Sequence, residues 1–201
     1  MASFGANFMT SKIILASRSP RRKDILEKLN LSFLIDPPDI DESPIKNESP
    51  INYVQRISAA KAELVAQRHD KQCIVIAADT TVELQGEIFS QPRDLDEARL
   101  MIHKLSGKTH AVHTAVSVRC EMKIATAVDT AQVTMREVSN ELLEWYIGTG
   151  ESIGKAGAYA VQGHGAALVA GVTGELDTVI GLPVRLLTSL LADLGIDPKT
   201  L

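Results

Sequence analysis

The sequence predicts an α/β protein, and three observations support this class. Short apolar runs alternate along the chain with segments of helical spacing, as expected for strands and helices that pack in layers. The run at 73–77, CIVIA, is continuously apolar, which is typical of a strand buried on both faces. Hydrophobic residues make up 45% of the 201 residues and aromatic residues only 4%, which predicts a largely aliphatic core. The length fits one domain or two closely packed lobes.

The first third of the chain predicts two strands and two helices. Residues 13–15 and 32–35 are short runs that predict strands, and three prolines break regular structure after the second run. Ser19-Pro20 and Ser49-Pro50 each combine a good N-cap with a proline suited to the first helical position. We therefore predict helices from Pro20 towards residue 29 and from Pro50 to about residue 69. The second helix has Val54, Ile57, Ala60 and Leu64 at helical spacing.

The middle and the end of the chain predict a hairpin, three helices and three further strands. Residues 81–84 and 87–89 flank Gln85-Gly86 as a hairpin, and residues 109–135 predict two long strands joined near 119–122. Asp94 is predicted to cap a helix that ends at Gly107, and Ser139 to cap another that ends at Gly148. A strand at 166–172 and an amphipathic helix at 182–194 follow. The predicted buried stripe of the helix after Asp94 is Leu95, Ala98, Met101, Ile102 and Leu105.

The segment ASRSPRRKDIL, at 16–26, carries cations at the start of its helix. A helix N-terminus is the positive end of the helix dipole and disfavours cations, so this charge suits a helix that holds an anion. Free backbone N–H groups, the hydroxyls of Ser17 and Ser19, and two guanidinium groups would form a polyphosphate cradle. The alternative is a basic surface turn paired with nearby acids.

Three further features allow both a functional and a structural interpretation. The acidic loop after the second strand could hold a divalent cation, or its acids could be solvated turn residues. Lys61 could be an ordinary surface lysine. Asp79 follows the apolar run and is predicted at the C-terminal end of a central strand, where ligand sites form in open α/β sheets. It could serve as a base or metal ligand, or only cap the strand. The acids of the loop are Asp36, Asp39, Asp41 and Glu42.

Composition excludes several function classes. The net charge of −4 argues against non-specific nucleic-acid binding, and a local basic patch on an acidic chain indicates a small anionic ligand. Cys73 and Cys120 form neither a disulfide framework nor a zinc motif. We expect no secretory signal and no membrane span, and a cytoplasmic protein. Residues 1–11 are predicted to be a flexible tail and residues 12–201 a single domain.

Four motifs in order resemble the Maf family of nucleoside triphosphate pyrophosphatases. They are ASRSPRRKDIL, AADTTVEL, QPRDLDEARLMIHKLSGKTHAVHTAV, and TGESIGKAGAYAVQGHGAALV with GLPV after it. The resemblance covers residues 13–191. It implies an α/β fold with a mixed sheet flanked by helices and two lobes around a cleft, similar to inosine triphosphate pyrophosphatase. It further implies a homodimer and a Mg²⁺- or Mn²⁺-dependent cleavage of nucleoside triphosphates at the α–β phosphate bond.

The resemblance also implies roles for individual residues. Asp79 would be the general base and, with Glu42, a metal ligand. Lys61 would be catalytic and, like Ser17 and Arg22, would meet the phosphates. The residues with an implied substrate-binding role are Ser17, Arg21, Arg22, Thr80, Lys155 and Gln162. By the same resemblance, Arg21, Thr80 and Gln162 occupy the positions linked to base selectivity. Their pattern resembles the branch acting on dTTP and UTP, not the branch that prefers 7-methyl-GTP.

The chain departs from the family pattern at two positions. Gln91 stands where the family has lysine before Pro92, and Gly154 where it has aspartate before Lys155. Arg93 could supply the charge that Gln91 lacks. Two alternative functions stay open. One is a pyrophosphatase of the 7-methyl-GTP type, against which Thr80 and Gln162 argue. The other is a non-catalytic nucleotide-binding regulator of cell division, which the departures at Gln91 and Gly154 support.

Overall fold

A computed structural model describes residues 12–197, and the predicted tail at 1–11 lies outside these described residues. Within 12–197, seven strands form one mixed sheet in the order β2-β1-β3-β5-β6-β7, with β4 paired to β3. The strands are β1 Ile13–Leu15, β2 Phe33–Ile35, β3 Ile74–Leu84, β4 Glu87–Phe89, β5 Thr109–Cys120, β6 Lys123–Met135 and β7 Val169–Thr173. The helices are α1 Pro20–Lys28, α2 Pro50–Ala66, α3 Leu95–Leu105, α4 Asn140–Gly148, α5 Leu176–Ile180 and α6 Val184–Asp193. The predicted α/β class with a mixed sheet is confirmed.

Local sequence signals place the ends of these elements. Ser19, Ser49, Asp94 and Ser139 each accept a hydrogen bond from the backbone N–H three residues later, as predicted N-caps do. The β3–β4 hairpin turns at Gln85-Gly86, where both residues have positive φ, as a two-residue hairpin loop requires. The first and third strands pair in parallel and the long strands pair antiparallel, so the sheet is mixed.

Two hydrophobic cores meet along β3. In its first half, Ile74, Ile76 and Ala78 pack with β1, α1 and α6. In its second half, Val82 packs with α3, α4 and the first half of β5. Residues 79–81 lie between these cores, so the polar stretch of β3 is bordered by apolar packing at both ends.

Three predicted details are wrong. Leu95 is 41% exposed because it is the first residue of α3 and the buried stripe begins one turn later, at Ala98. Ala60 is exposed, because the buried stripe of α2 passes through Lys61. Residues 166–168 belong to a 3-10 segment, and β7 starts only at residue 169. The chain folds back there because Gly165 lies against the backbone of Ala160, where a Cβ would come within 2.2 Å of the carbonyl oxygen.

No helix among residues 12–197 combines the length and the apolar character that crossing a membrane would require.

His110 makes the folded protein sensitive to acid. The imidazole is buried on β5, and its Nε2 lies 2.6 Å from the Tyr159 hydroxyl. Burial lowers the pKa of His110 from 6.5 to about 4. The unfolded chain therefore takes up this proton at a higher pH than the folded one, and stability falls as pH drops from 6.5 towards 4. We expect this residue to contribute about 3 kcal/mol of that loss.

Urea denaturation of the wild type and of His110→Gln at several pH values measures this contribution. Glutamine keeps a hydrogen-bonding side chain but does not titrate, so its unfolding free energy should fall less steeply over the same pH range. Equal pH slopes for the two proteins would contradict the assignment.

Candidate active site

A gap beside β3 opens a cavity in the middle of the sheet. The parallel pairing of β1 with β3 ends at Leu15 and Ile76, followed by a last 2.8 Å hydrogen bond from Ala16 N to the Ile76 carbonyl. On the same side, β4 pairs with β3 only from Val82 onward. Between these points no described strand pairs with that edge of β3. A cavity of about 560 Å³ lies there, lined by the start of α1, the middle of β3, and residues within the segments 37–42 and 153–162.

Asp79 lies at this gap, and its position corrects the sequence-based prediction. It was predicted at a strand end, but β3 continues past it to Leu84 because β5 pairs along the whole strand. The partner that ends is β1, so the site still lies at the carboxyl end of a parallel strand. Asp79 lines the cavity and is only 5% exposed.

Lys61 ties two carboxylates together. Its Nζ donates a 2.8 Å hydrogen bond to Asp79 Oδ1 and lies 2.8 Å from Glu42 Oε1. Lys61 is 8% exposed, so it is not the ordinary surface lysine of the alternative interpretation. Tyr53 supports the arrangement because its hydroxyl donates a 2.9 Å hydrogen bond to the Glu42 carbonyl.

The surroundings of Asp79 suit a group that accepts a proton. Burial raises the pKa of the Asp79 carboxyl above its ordinary value, and the nearby cations of Lys61 and Arg22 limit that rise. A carboxylate with a raised pKa accepts a proton more readily, while its ion pair keeps it in place. This combination of burial and charge is typical of functional sites.

The same two carboxylates could hold a divalent cation. Asp79 and Glu42 each lie 2.8 Å from the same nitrogen, Lys61 Nζ, at the cavity wall. Among residues 12–197, no group of three or more His, Cys, Asp or Glu side chains is arranged to hold a metal ion. Mg²⁺ is often bound by one or two carboxylates together with substrate phosphates. The donor set therefore fits a metal that binds with a phosphate ligand rather than in a closed protein cage.

Ser17 and Arg22 form the wall next to α1. Ser17 is buried, and its Oγ accepts hydrogen bonds from Ser19 N and from Arg22 Nη1, both 3.1 Å long. Since both bonds are accepted, the Ser17 hydroxyl proton is left to donate to an anion in the cavity. Arg22 donates from Nε to the Gly181 carbonyl at 2.8 Å and from Nη2 to Thr80 Oγ1 at 3.1 Å.

The predicted anion cradle is only partly available. Ser19 Oγ already accepts the Arg22 backbone N–H, so one of the N–H groups expected for the ligand is used. Arg22 bonds the protein through three nitrogens and is a structural element of the site. Arg21 also lines the cavity, and its side chain makes no hydrogen bond to residues 12–197. Burial lowers the pKa of both guanidinium groups.

The two arginines are expected to respond differently to truncation. Arg22→Ala removes a buried cation from three oxygen acceptors, and a charged hydrogen bond typically contributes about 1.5–3 kcal/mol. Relief of the unfavourable helix-end charge returns only about 0.3–1 kcal/mol, so Arg22→Ala should lower stability by at least about 1 kcal/mol. Arg21→Ala should leave stability unchanged or slightly increased. Thermal unfolding of the ligand-free variants tests this, and equal losses would contradict it.

The remaining predicted residues also line the cavity. Thr80 is half-exposed on β3, and Gln162 is exposed at the start of the 3-10 segment that precedes β7. The Lys155 ammonium donates to the Glu151 carbonyl, and burial, with Arg21 nearby, lowers the Lys155 pKa. The structure therefore brings all nine predicted site residues to one cavity. They are Ser17, Arg21, Arg22, Glu42, Lys61, Asp79, Thr80, Lys155 and Gln162, with Asp79 counted in both the catalytic and the metal set.

Both departures from the family pattern lie at the cavity. Gln91 and Gly154 line it, whereas Arg93 does not. The side chain of Arg93 is 83% exposed and pairs with Glu97 at 2.9 Å. Arg93 therefore does not supply the charge that Gln91 lacks in this structure.

Sequence reasoning missed residues that hold the site together. The Glu151 carboxylate accepts the backbone N–H groups of His164, at 3.1 Å, and Gly165, at 2.9 Å, and so fixes the loop that carries Gln162. Tyr53 lies in none of the four motifs, and Glu151 lies in the fourth, which by itself does not indicate this role. Lys61 did carry a signal, because a lysine occupies an apolar-face position of α2, four residues after Ile57.

Comparisons of the chain with known proteins identify its family. Residues 12–194 match the family profile described as Maf-like protein. A dTTP/UTP pyrophosphatase of Myxococcus xanthus is 44% identical over 184 residues, covering 92% of this chain and 93% of the relative. A dTTP/UTP pyrophosphatase of Pyrococcus furiosus is 42% identical over 180 residues, covering 90% and 94%. A solved nucleoside-triphosphatase / dITP/XTP pyrophosphatase of Mycobacterium abscessus has a TM-score of 0.47 at 15% identity, covering 92% of this chain and 94% of that one.

Proposed function

The chain belongs to the Maf family, and on that premise we propose that it hydrolyses dTTP and UTP at the α–β phosphate bond. The products would be a nucleoside monophosphate and pyrophosphate, and the role would be to clean the nucleotide pool. One observation carries the proposal: the buried Asp79–Lys61 pair lines the same cavity as Ser17 and Arg22. The names of the relatives in Myxococcus and Pyrococcus support the choice of substrate.

Asp79 is proposed as the general base. A water held at Asp79 would attack the α-phosphorus while its proton passes to the carboxylate, and the bond from that phosphorus to the bridging oxygen would break. The electron pair of that bond leaves with pyrophosphate. Lys61 keeps the Asp79 carboxylate oriented and, at 2.8 Å from it, brings positive charge to the place where the phosphates are expected.

The other cavity cations would bind the triphosphate. The Ser17 proton is available to donate to a phosphate oxygen, as argued above from the two bonds its oxygen accepts. Arg21 lies close enough to Lys155 that its charge adds to the effect of burial in lowering the Lys155 pKa, which indicates concentrated positive charge in this part of the cavity. An anion with several charges, such as a triphosphate, relieves that repulsion. Gln162 and Thr80 are proposed to contact the base.

A divalent cation, Mg²⁺ or Mn²⁺, is proposed to bind between Glu42, Asp79 and the phosphates. When bound, it would neutralise charge that builds on the phosphate oxygens. We further propose, from the family resemblance, that the protein is a cytoplasmic homodimer with no nucleic-acid or membrane partner.

The alternative of a non-catalytic nucleotide-binding regulator rests on Gln91 and Gly154. Both departures lie in the cavity wall, and Gln91 offers no charge to a transition state. A regulator, however, has little use for a buried carboxylate paired with a lysine beside its phosphate site.

A pyrophosphate-release assay with magnesium separates these functions. Purified protein is mixed with dTTP, UTP, CTP and 7-methyl-GTP, and the products are resolved by ³¹P NMR. We expect dTTP and UTP to give monophosphate and pyrophosphate. Orthophosphate with a diphosphate nucleotide would show that the wrong bond is cut. Binding without any turnover would favour the regulator, and preferential turnover of 7-methyl-GTP the other branch.

A further inference from the structure

A chain of hydroxyl groups runs behind the cavity wall at Thr80. Thr80 on β3 lies directly opposite Thr114 on β5, and their Oγ1 atoms are 3.0 Å apart. Thr114 is fully buried, with 0% exposure, while Thr80 is half-exposed to the cavity. The Thr114 hydroxyl donates a 2.7 Å hydrogen bond to the Thr178 carbonyl. The cavity residue is thus connected to a buried one that no ligand can reach.

The donor and the acceptor of each hydrogen bond from Arg22 through Thr80 and Thr114 to Thr178 can be assigned. A threonine hydroxyl has one proton, and a carbonyl oxygen can only accept. Because Thr114 gives its proton to Thr178, the contact between the two hydroxyls requires Thr80 to donate to Thr114. Arg22 Nη2 donates to Thr80 Oγ1 at 3.1 Å. Thr80 has therefore used its only proton and one of its two lone pairs.

The backbone at Gly181, next to Thr80, helps to keep these hydrogen bonds in the same direction. Gly181 has φ of +115°, and a Cβ there would lie 3.1 Å from Thr80 Oγ1. The Gly181 carbonyl accepts the 2.8 Å bond from Arg22 Nε, so Arg22 is fixed on the side from which it donates to Thr80. Turning the Thr80 proton towards the cavity would leave Thr114 without its donor and bring the proton towards a cation.

We propose that Thr114 is a specificity-determining positioning residue that makes Thr80 accept, and never donate, a hydrogen bond in the cavity. The inference rests on the proposed function, in which Thr80 contacts the base. Uracil and thymine each carry a single N–H once attached to the sugar, at N3, and their other polar atoms are carbonyl oxygens. The Thr80 lone pair would accept that N3–H. Cytosine has an unprotonated N3, so two lone pairs would face each other.

Thr114→Val tests this arrangement. The change removes the acceptor of the Thr80 proton with almost no change in volume. Thr80 could then turn its proton into the cavity and donate to N3 of cytosine. We expect the ratio of kcat/KM for UTP to that for CTP to fall about tenfold, the equivalent of one hydrogen bond. A structural defect alone would lower both rates and leave the ratio unchanged.

Two controls accompany the variant. Thr114→Ser keeps the hydroxyl and should keep the wild-type ratio. Thr109→Val makes the same change on the same strand, at an exposed residue whose hydroxyl contacts Thr134 at 2.9 Å, and should also keep it. If Thr114→Val lowers the ratio and both controls keep it, the proposal stands. An unchanged ratio in a folded Thr114→Val would overturn it.

The wild type provides a second test if Thr114→Val does not fold. UTP should be hydrolysed well, and both CTP and 3-methyl-UTP, whose N3 carries no proton, should be hydrolysed poorly. Equal turnover of UTP and CTP would overturn the inference while leaving the proposed pyrophosphatase activity intact. Absence of turnover with UTP and dTTP would instead count against the proposed function itself.

Discussion

Asp79→Asn is expected to lower kcat for dTTP or UTP by about 10²–10⁴, the usual effect of losing a general base. The amide has the shape of the carboxyl group but cannot take a proton from water. Lys61 can still donate to the amide oxygen, and it keeps its contact with Glu42, so the cavity should retain its form. Nucleotide affinity, measured by isothermal titration, should therefore change much less than the rate.

The pH profile gives a second readout for the same variant. Since burial raises the pKa of Asp79, the carboxylate is lost as pH falls through a value above that of an ordinary aspartate. The wild-type kcat/KM should fall there, and the residual rate of Asp79→Asn should not. Asp24→Asn, which alters an exposed carboxylate on α1, is the matched control and should behave as wild type. A kcat within a few-fold of wild type for Asp79→Asn would show that another group is the base.

Elements defined by local chemistry could be predicted from the sequence. The N-caps at Ser19, Ser49 and Asp94 depend on a hydroxyl or carboxylate and the backbone three residues later, so a few neighbouring residues determine them. The hairpin at Gln85-Gly86 depends on two residues that tolerate positive φ. These features were predicted and are confirmed.

Features that depend on distant pairing could not be predicted in the same way. Whether β3 ends at Asp79 depends on how far β1 and β5 extend beside it, and neither length follows from the residues near 79. The charge on Arg22 predicts an anion site, but its three bonds involve Gly181, 159 positions away, as well as Thr80. A ligand group and a structural group have the same sequence signal here, and only tertiary contacts distinguish them.

The last prediction concerns Lys61→Met, which should lower both stability and activity. Methionine fills a similar volume but leaves Asp79 buried without its ion-pair partner. Removing one member of a buried pair typically costs about 3–5 kcal/mol, because the remaining charge is uncompensated. Loss of the contact between Lys61 and Glu42 should lower stability less, since the Glu42 side chain is 42% exposed and exposed ion pairs contribute about 0–1 kcal/mol. Glu42→Gln is therefore the matched control for stability, with a much smaller expected loss.

A double-mutant cycle separates the two roles of Lys61. In Asp79→Asn/Lys61→Met no buried carboxylate is left without its lysine, and only the more exposed Glu42 loses its contact, so the unfolding free energy in urea should recover most of what Lys61→Met loses. Activity should not recover, because the base is absent and no ammonium stabilises the phosphates. Losses of stability that simply add in the double variant would show that the pair is not coupled. In that case Lys61 would support the fold through its packing in α2, and its proximity to Asp79 would contribute little to either property.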